Sequence, residues 1–439
     1  MNVYMVVDIG GSKYISGFVS DDGQILYQER KEWTKTSVEA IVEQLIASLR
    51  GVCATRPELA EQAKAGGVTI PGIADPATGV WVESDFLLVK NLPICERLSM
   101  EFKIPFFADN DGNACALAEK YFGSAKEDRD FLYMTVSTGI GGALILDDEL
   151  YYGEYGHAGE IGMLVVEEQG RFSDTGSVQG NVEMYASGRG LRDNYVAASG
   201  IDKISNQPVD GKVISELAAK GDLVALEALA LEGDYLGRIL ANAYSFAKVE
   251  KIIIGGGVAL MFERFKPNLL KEFFRIHPEA QVIIEVTSLG YSGAFLGAAA
   301  VARRGCEAVE LKSMGRQGQT VLRFSIGDEV GTALEVDDKV LASTHCENNN
   351  FLIARALSDS GATLRQMLKE EERQKDLREF GKGIGKAVAC GCVLFDPGKV
   401  IIEGEGTSDE SFRSSLEAAV IEETYYRGKL PFAIEYRGC

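Results

Sequence analysis

ADNDGNACALAE, residues 108–119, follows the short apolar run IPFF and changes period from strand to helix at Asp111. A carboxylate at a strand-to-helix turn stands where ligands collect in open α/β sheets. It can cap the helix. It can also take a proton from a substrate hydroxyl, which requires a phosphate-binding apparatus elsewhere in the chain.

Two glycine turns supply that apparatus. YMVVDIGGSKYISGFVSDDGQIL, residues 4–26, alternates strand and turn, and its first turn is DIGGSK, Asp8 to Lys13. Gly10 and Gly11 let backbone N–H groups approach a phosphate, with Ser12 and Lys13 completing the turn. Asp8, at the strand end, is placed to hold Mg²⁺ through water. STGIGGA, Ser137 to Ala143, repeats the logic, with Thr138 offering a hydroxyl and Gly139, Gly141 and Gly142 freeing the backbone. KIIIGGGVAL, residues 251–260, is a buried strand, a turn of Gly255, Gly256 and Gly257, and a helix start suited to a nucleotide. The Gly-rich loop GEYGHAGEIGM, residues 153–163, carries Glu160, and VEMYASGRGL, residues 182–191, carries Glu183 on a helix. Carboxylates commonly accept hydrogen bonds from polyol hydroxyls. Each feature alone is an ordinary turn or a solvated glutamate; together, in chain order, they make Asp111 a candidate base.

This set resembles the ROK family (repressors, open reading frames, kinases) over roughly Tyr4 to Arg303, in five motifs: DIGGSK, TIPGIADPATG, ADNDGNACALAE, STGIGGA and IIIGGGV. The resemblance implies an α/β, actin/sugar-kinase (RNase H-like) two-lobe fold, with lobes at residues 1–122 and 123–304. It implies ATP- and Mg²⁺-dependent phosphorylation of a hexose or N-acetylhexosamine hydroxyl, with Asp111 as general base. Asn110, Asp111, Glu160 and Glu183 would contact the sugar, and the three glycine turns the nucleotide. The alternative within the family is a non-catalytic sugar- or nucleotide-binding regulator. Zinc-containing members have a His where this chain has Met163, and cysteines where it has Asp174, Gly176 and Asn181, so no zinc is expected. Phe86 stands where members carry a sugar-contacting Asn.

The formal net charge of −20 argues against nucleic acid or an anionic membrane as a partner. MNVYMVVDIGG has neither a basic flank nor a long apolar run, and the first strand begins within a few residues of Met1. Neither a signal peptide nor a DNA-binding domain is therefore expected before it. Eight scattered cysteines without a CxxC fit a reduced, cytoplasmic protein.

The resemblance ends near Arg303. VLRFSIGDEVGTALEVDDKVL, residues 321–341, lies without a gap over FLYMTVSTGIGGALILDDELY, residues 131–151. GKAVACGCVLFDPGKVIIEGEG, residues 385–406, lies over GRILANAYSFAKVEKIIIGGGV, residues 237–258. Residues 305–439 are thus expected to form a third, degenerate RNase H-like lobe. Asp328 and Glu329 replace Thr138 and Gly139, and Glu403 and Glu405 replace two glycines, so the copy would repel a phosphate. Its expected role is structural, giving a monomer with an internal pseudo-dimer contact. Cys390-Gly391-Cys392 is expected to be part of a packed helix rather than a metal site.

Overall fold

Apolar residues on both faces of VYMVVDI make its strand the centre of a sheet covered on two sides. The computed structural model describes residues 2–34, 37–84, 87–173, 178–204, 206–307, 319–327, 330–345, 377–404, 406–426 and 429–438. The first sheet, of order β3-β2-β1-β4-β8, contains β1 (Val3–Ile9), β2 (Lys13–Ser20), β3 (Ile25–Glu32), β4 (Ala63–Ile70) and β8 (Phe106–Asn110). β1 is antiparallel to β2 and parallel to β4, and β4 is parallel to β8. A small sheet of β5 (Ile73–Asp75), β6 (Val80–Ser84) and β7 (Val89–Leu92) follows β4 in the chain. The second large sheet, β11-β10-β9-β14-β15, comprises β9 (Phe131–Val136), β10 (Ile140–Leu146), β11 (Glu149–Tyr151), β14 (Lys251–Gly255) and β15 (Ile283–Val286). Between them in sequence lies the short hairpin of β12 (Lys203–Ile204) and β13 (Gln207–Pro208).

A third five-stranded sheet has the order β18-β17-β16-β19-β20, from β16 (Thr320–Ile326), β17 (Val330–Val336), β18 (Lys339–His345), β19 (Lys399–Gly404) and β20 (Ala433–Arg437). Its pairings are antiparallel across β16, β17 and β18 and parallel across β16, β19 and β20, as around β1 in the first sheet. Detail coincides at the positions matched in sequence. Asp147 and Asp148 turn the β10–β11 hairpin at φ 54° and 68°, and Asp337 and Asp338 turn β17–β18 at φ 50° and 63°. Such tight hairpins need positive φ at both central residues. Gly256 (φ 89°) presses on the Val136 carbonyl, and Gly404 (φ 113°) presses on the matching Ile326 carbonyl, where a Cβ would collide. The helix Leu377–Phe395 holds Cys390 and Cys392 as buried core residues, as the packed-helix reading expected. Asp328, Glu329 and Glu405 lie outside the described residues.

The chain divides into two compact units: Met1–Tyr133 with Ala143–Leu150 and Thr287–Gln317, and Met134–Gly142 with Tyr151–Val286 and Gly318–Cys439. These differ from the sequence-based boundaries, and packing explains why. In the first unit Val3, Met5, Val7 and Ile9 share a core with Ile41, Leu45 and Leu49 of the helix Val38–Thr55. Tyr4 and Val6, on the opposite face, join Phe295, Ala298, Ala299 and Ala302 of the helix Gly293–Glu307. The small side chains of that helix let its backbone approach Gly67 of β4 and Ala114, so it belongs with the N-terminal sheet. In the second unit Phe246 meets Phe324 and Phe395 edge-on, with ring centroids 6.1 and 6.3 Å away.

Glu232, inside the long helix Leu223–Ala247, is fully buried, and neither carboxyl oxygen has a hydrogen-bond partner among the described residues. Burial raises its pKa well above the ordinary value. The folded state then binds a proton that the unfolded chain releases above about pH 4, so stability falls as pH rises toward the folded pKa. Glu232→Leu is expected to stabilise the protein at pH 8 by about 1–3 kcal/mol. The gain should shrink at pH 4.5 when melting is followed by calorimetry.

Candidate functional site

The parallel register of the first sheet sets out the first group of residues. Asp8 pairs with Thr69, and Thr69 pairs with Asp109, at the C-terminal ends of β1, β4 and β8. Buried Thr69 donates its hydroxyl to Asp8 Oδ1 (2.7 Å). Burial raises the pKa of Asp8, offset by this bond and by Lys13. Asn110 ends β8 and caps the helix Asp111–Tyr121, its Oδ1 accepting the Asn113 amide (2.7 Å). The cap role considered for Asp111 therefore belongs to its neighbour. Asp111 itself is exposed at the first helical position, with Oδ1 accepting the Gly112 amide (3.0 Å). Enough protein surrounds its solvent-open face that desolvation raises its pKa to about 6, with the negative charge of Asp8 adding to the rise.

The DIGGSK turn is more tightly tied than its sequence shows. The Gly10 amide is spent on the Lys13 carbonyl (2.8 Å). Trp33 donates its indole N–H to the Gly10 carbonyl (2.9 Å) and its amide to the Ser12 carbonyl (3.3 Å). Its ring lies against Tyr14, centroids 4.3 Å apart. Trp33 escaped the sequence reading because nothing local marks a contact across twenty-three residues.

In the second unit three elements meet at the STGIGGA turn. The Ser137 amide donates to the Gly139 carbonyl (2.8 Å), closing the turn, and the Gly188 amide donates to the Ser137 carbonyl (2.7 Å). Gly188 opens the helix Gly188–Ser199, whose cap Ser187 accepts the Gly190 amide (3.1 Å). Gly256 sits on Val136 immediately before the turn. Glu183 is brought here as well. It accepts the Ile140 amide (2.9 Å) and pairs with Arg189 (3.2 Å), whose Nε donates to the Thr138 carbonyl (3.3 Å). Burial raises the Glu183 pKa, and the Ile140 bond lowers it. Glu183 thus braces the STGIGGA turn, a job beyond the sugar contact expected of it. Gly188 and Arg189 were missed, although Ser-Gly-Arg-Gly directly after the glutamate helix is a cap signal.

Glu160 precedes the single helical turn Ile161–Met163, its carbonyl accepting the Met163 amide (2.9 Å). Asn181 donates from Nδ2 to the Gly162 carbonyl (3.2 Å) and faces Met163 Sδ at 3.6 Å. Phe86, Asp174 and Gly176 lie outside the described residues.

A family model described as "ROK family" matches residues 4–305. The chain belongs to the ROK family. Among its relatives, a glucokinase of Streptomyces coelicolor is 29% identical over 322 residues, covering 69% of this chain and 98% of that protein. A crystal structure of a ROK family glucokinase from Streptomyces griseus, in complex with glucose and AMPPNP, is 28% identical. It superposes with a TM-score of 0.61 over 69% of this chain and all of its own. A xylose repressor of Caldicellulosiruptor bescii is 27% identical, covering 58% of this chain and 65% of the repressor. The fold is accordingly the actin-like sugar-kinase fold, and the family contains both kinases and repressors.

Against the zinc-bearing members of this ROK family, the donor set here is a thioether and an amide at Met163 and Asn181, neither a structural zinc ligand. Among the described residues no group of three His, Cys, Asp or Glu is arranged to hold a metal ion, and no helix is long and apolar enough to cross a membrane. Because Asn110 Oδ1 is committed to the cap, its Nδ2 is the atom left to meet a ligand. Asn110→Ala is expected to cost about 1 kcal/mol of stability by thermal melting. Asn110→Ser should keep the cap and lose only ligand affinity.

Proposed function

We propose that this ROK protein is an ATP-dependent sugar kinase, phosphorylating a hydroxyl of a hexose or N-acetylhexosamine. The observation that carries this reading is Asp111. Its carboxyl is exposed at a strand-to-helix turn and shares that strand-end row with a second carboxylate, and its pKa is raised to about 6, close to a working pH. A binding protein needs no such base.

Asp111 accepts the proton as the sugar hydroxyl attacks the γ-phosphorus; the bond from that phosphorus to the bridging oxygen breaks, and ADP leaves. Asn110 Nδ2 donates to a sugar oxygen, and Glu160 and Glu183 accept from sugar hydroxyls. Glu183 carries a second load, since it already holds the Ile140 amide (2.9 Å) in the phosphate turn. Gly11, Ser12, Lys13, Thr138, Gly139 and Gly141 line the phosphates, with Gly10 closing the first turn, and Gly255, Gly256 and Gly257 take the adenosine. Asp8 fits Mg²⁺, as a hard carboxylate at a strand end with one oxygen fixed by Thr69 (2.7 Å). The metal, when bound, supplies neutralisation of charge on the transferring phosphoryl group. Met163, in place of a His, makes this sugar pocket less polar.

Similarity to a xylose repressor favours the second reading, a sugar-responsive regulator without catalysis. A coupled ADP-release assay over hexoses and N-acetylhexosamines separates the two. Turnover with at least one sugar is expected, and none with any of them would favour the regulator. Asp111→Asn should lower kcat by about 10²–10⁴-fold with sugar affinity kept within a few fold. Because the base must be ionised, kcat/KM should fall about tenfold per pH unit below about pH 6 and stay level from 7 to 8. A profile flat to pH 5 would contradict the assigned base.

A further inference from the structure

The loop Gly153–Glu160 contains no helix or strand, and four of its amides donate to the far C-terminal segment. The Glu154 amide donates to the Asp396 carbonyl (2.7 Å) and the Gly159 amide to the Leu394 carbonyl (2.9 Å). Between them, the Tyr155 and His157 amides both donate to Asp396 Oδ2 (2.8 and 2.9 Å). Tyr426 donates its hydroxyl to the other oxygen, Oδ1 (3.2 Å). Glu154 in turn accepts the Thr320 amide (3.0 Å), and the Tyr155 hydroxyl donates to the Pro431 carbonyl (3.1 Å).

Asp396 is fully buried and sits at φ 45°, the left-handed residue that ends the helix Leu377–Phe395. Lys248 ends the matching helix Leu223–Ala247 at φ 48°, but its side chain is exposed. The same backbone turn thus carries a solvated cation in one copy and, in the other, a buried carboxylate aimed at a loop. Gly153 is part of the fit, since at φ 77° a Cβ there would lie 2.6 Å from Asp396 Cβ. The Tyr425 ring stands edge-on to His157 (5.7 Å). Burial raises the pKa of its hydroxyl, and the nearby charges of Asp396 and Glu160 add to the rise.

We propose that residues 377–438 act as an in-chain brace for the loop bearing Glu160, with Asp396 as the positioning residue that fixes this loop for sugar. The brace is read from the hydrogen bonds alone; only its ligand rests on the kinase reading. Without the carboxylate, two buried amides lose their acceptor, and the loop three residues before Glu160 is free to move.

The test uses the full chain and compares wild type, Asp396→Asn and Asp396→Ala. Asp396→Ala should speed amide hydrogen exchange across residues 153–160 at least tenfold while leaving residues 8–13 unchanged. Asp396→Asn, which keeps a weaker acceptor, should fall between. In the kinase assay the sugar KM should rise about tenfold for Asp396→Ala, with the ATP KM within twofold. Combined with Glu160→Gln, the effects should be less than additive, because one acts through the other. Unchanged exchange overturns the brace, and additive effects overturn the route through Glu160. If Glu160→Gln leaves the sugar KM unmoved while Asp396→Ala still loosens the loop, the sugar assignment of Glu160 fails and the brace stands. Asp396→Ser, too short to reach both amides, takes the place of the alanine protein should that not fold.

Discussion

Two carboxylates cannot both ionise freely when they share a poorly solvated place, and the first unit is arranged around that constraint. Parallel pairing of β1, β4 and β8 aligns Asp8, Thr69 and Asp109 at the strand ends, and the helix beginning at Asp111 carries the second carboxylate into the same row. Thr69 stabilises the charge on Asp8, whereas Asp111 has only the adjacent Gly112 amide and so feels desolvation and its neighbour more fully. On the proposed reading, this difference in surroundings leaves Asp8 for a cation and Asp111 for a proton. Asn110 takes the capping duty that would otherwise hold the Asp111 side chain to the helix.

Repetition of one backbone plan explains the rest of the chain. The third sheet follows the strand order of the other two, and it shares with the second the paired aspartates of one hairpin and the left-handed glycine at the end of the strand beside the central one. Where side chains at equivalent positions differ, their work differs. Glu403 stands in place of Gly255 and pairs with Arg323 (3.5 Å), a use incompatible with approach of a nucleotide. Lys386, buried, pairs with Glu168 and with Glu423 (3.3 Å), tying the helix Leu377–Phe395 to the segment that follows the Glu160 loop. Burial raises Glu423 to about 7, and Lys386 pulls it back. These ion pairs and the Asp396 bonds act on the same stretch of chain from two sides. On this reading the additional copy exchanged phosphate chemistry for support of its neighbour, and a single active site per chain follows.

Much of this was legible in the sequence where the signal was local. Short apolar runs bounded by glycine turns gave the strands, small residues in 288–302 gave a closely packing helix, and ungapped self-similarity located the third sheet. Long-range side-chain use was not legible. Trp33 beneath Gly10, Glu183 on the Ile140 amide and Asp396 on the Tyr155 and His157 amides each join residues at least twenty positions apart, and no spacing rule marks such pairs. The packing of the last helix of the first unit was not legible for a related reason. The helix Gly293–Glu307 follows the second lobe in sequence, yet its alanine face matches Gly67 of β4.

Phosphorus-31 nuclear magnetic resonance of the intact protein with Mg-ATP and glucose or an N-acetylhexosamine tests the central claim most directly, because it sees the fate of the γ-phosphorus itself. The account predicts a growing phosphomonoester resonance matched by ADP, both growing at least about 10²-fold more slowly with Asp111→Asn. Unchanged ATP with every sugar, or ATP converted only to ADP and inorganic phosphate, would contradict it.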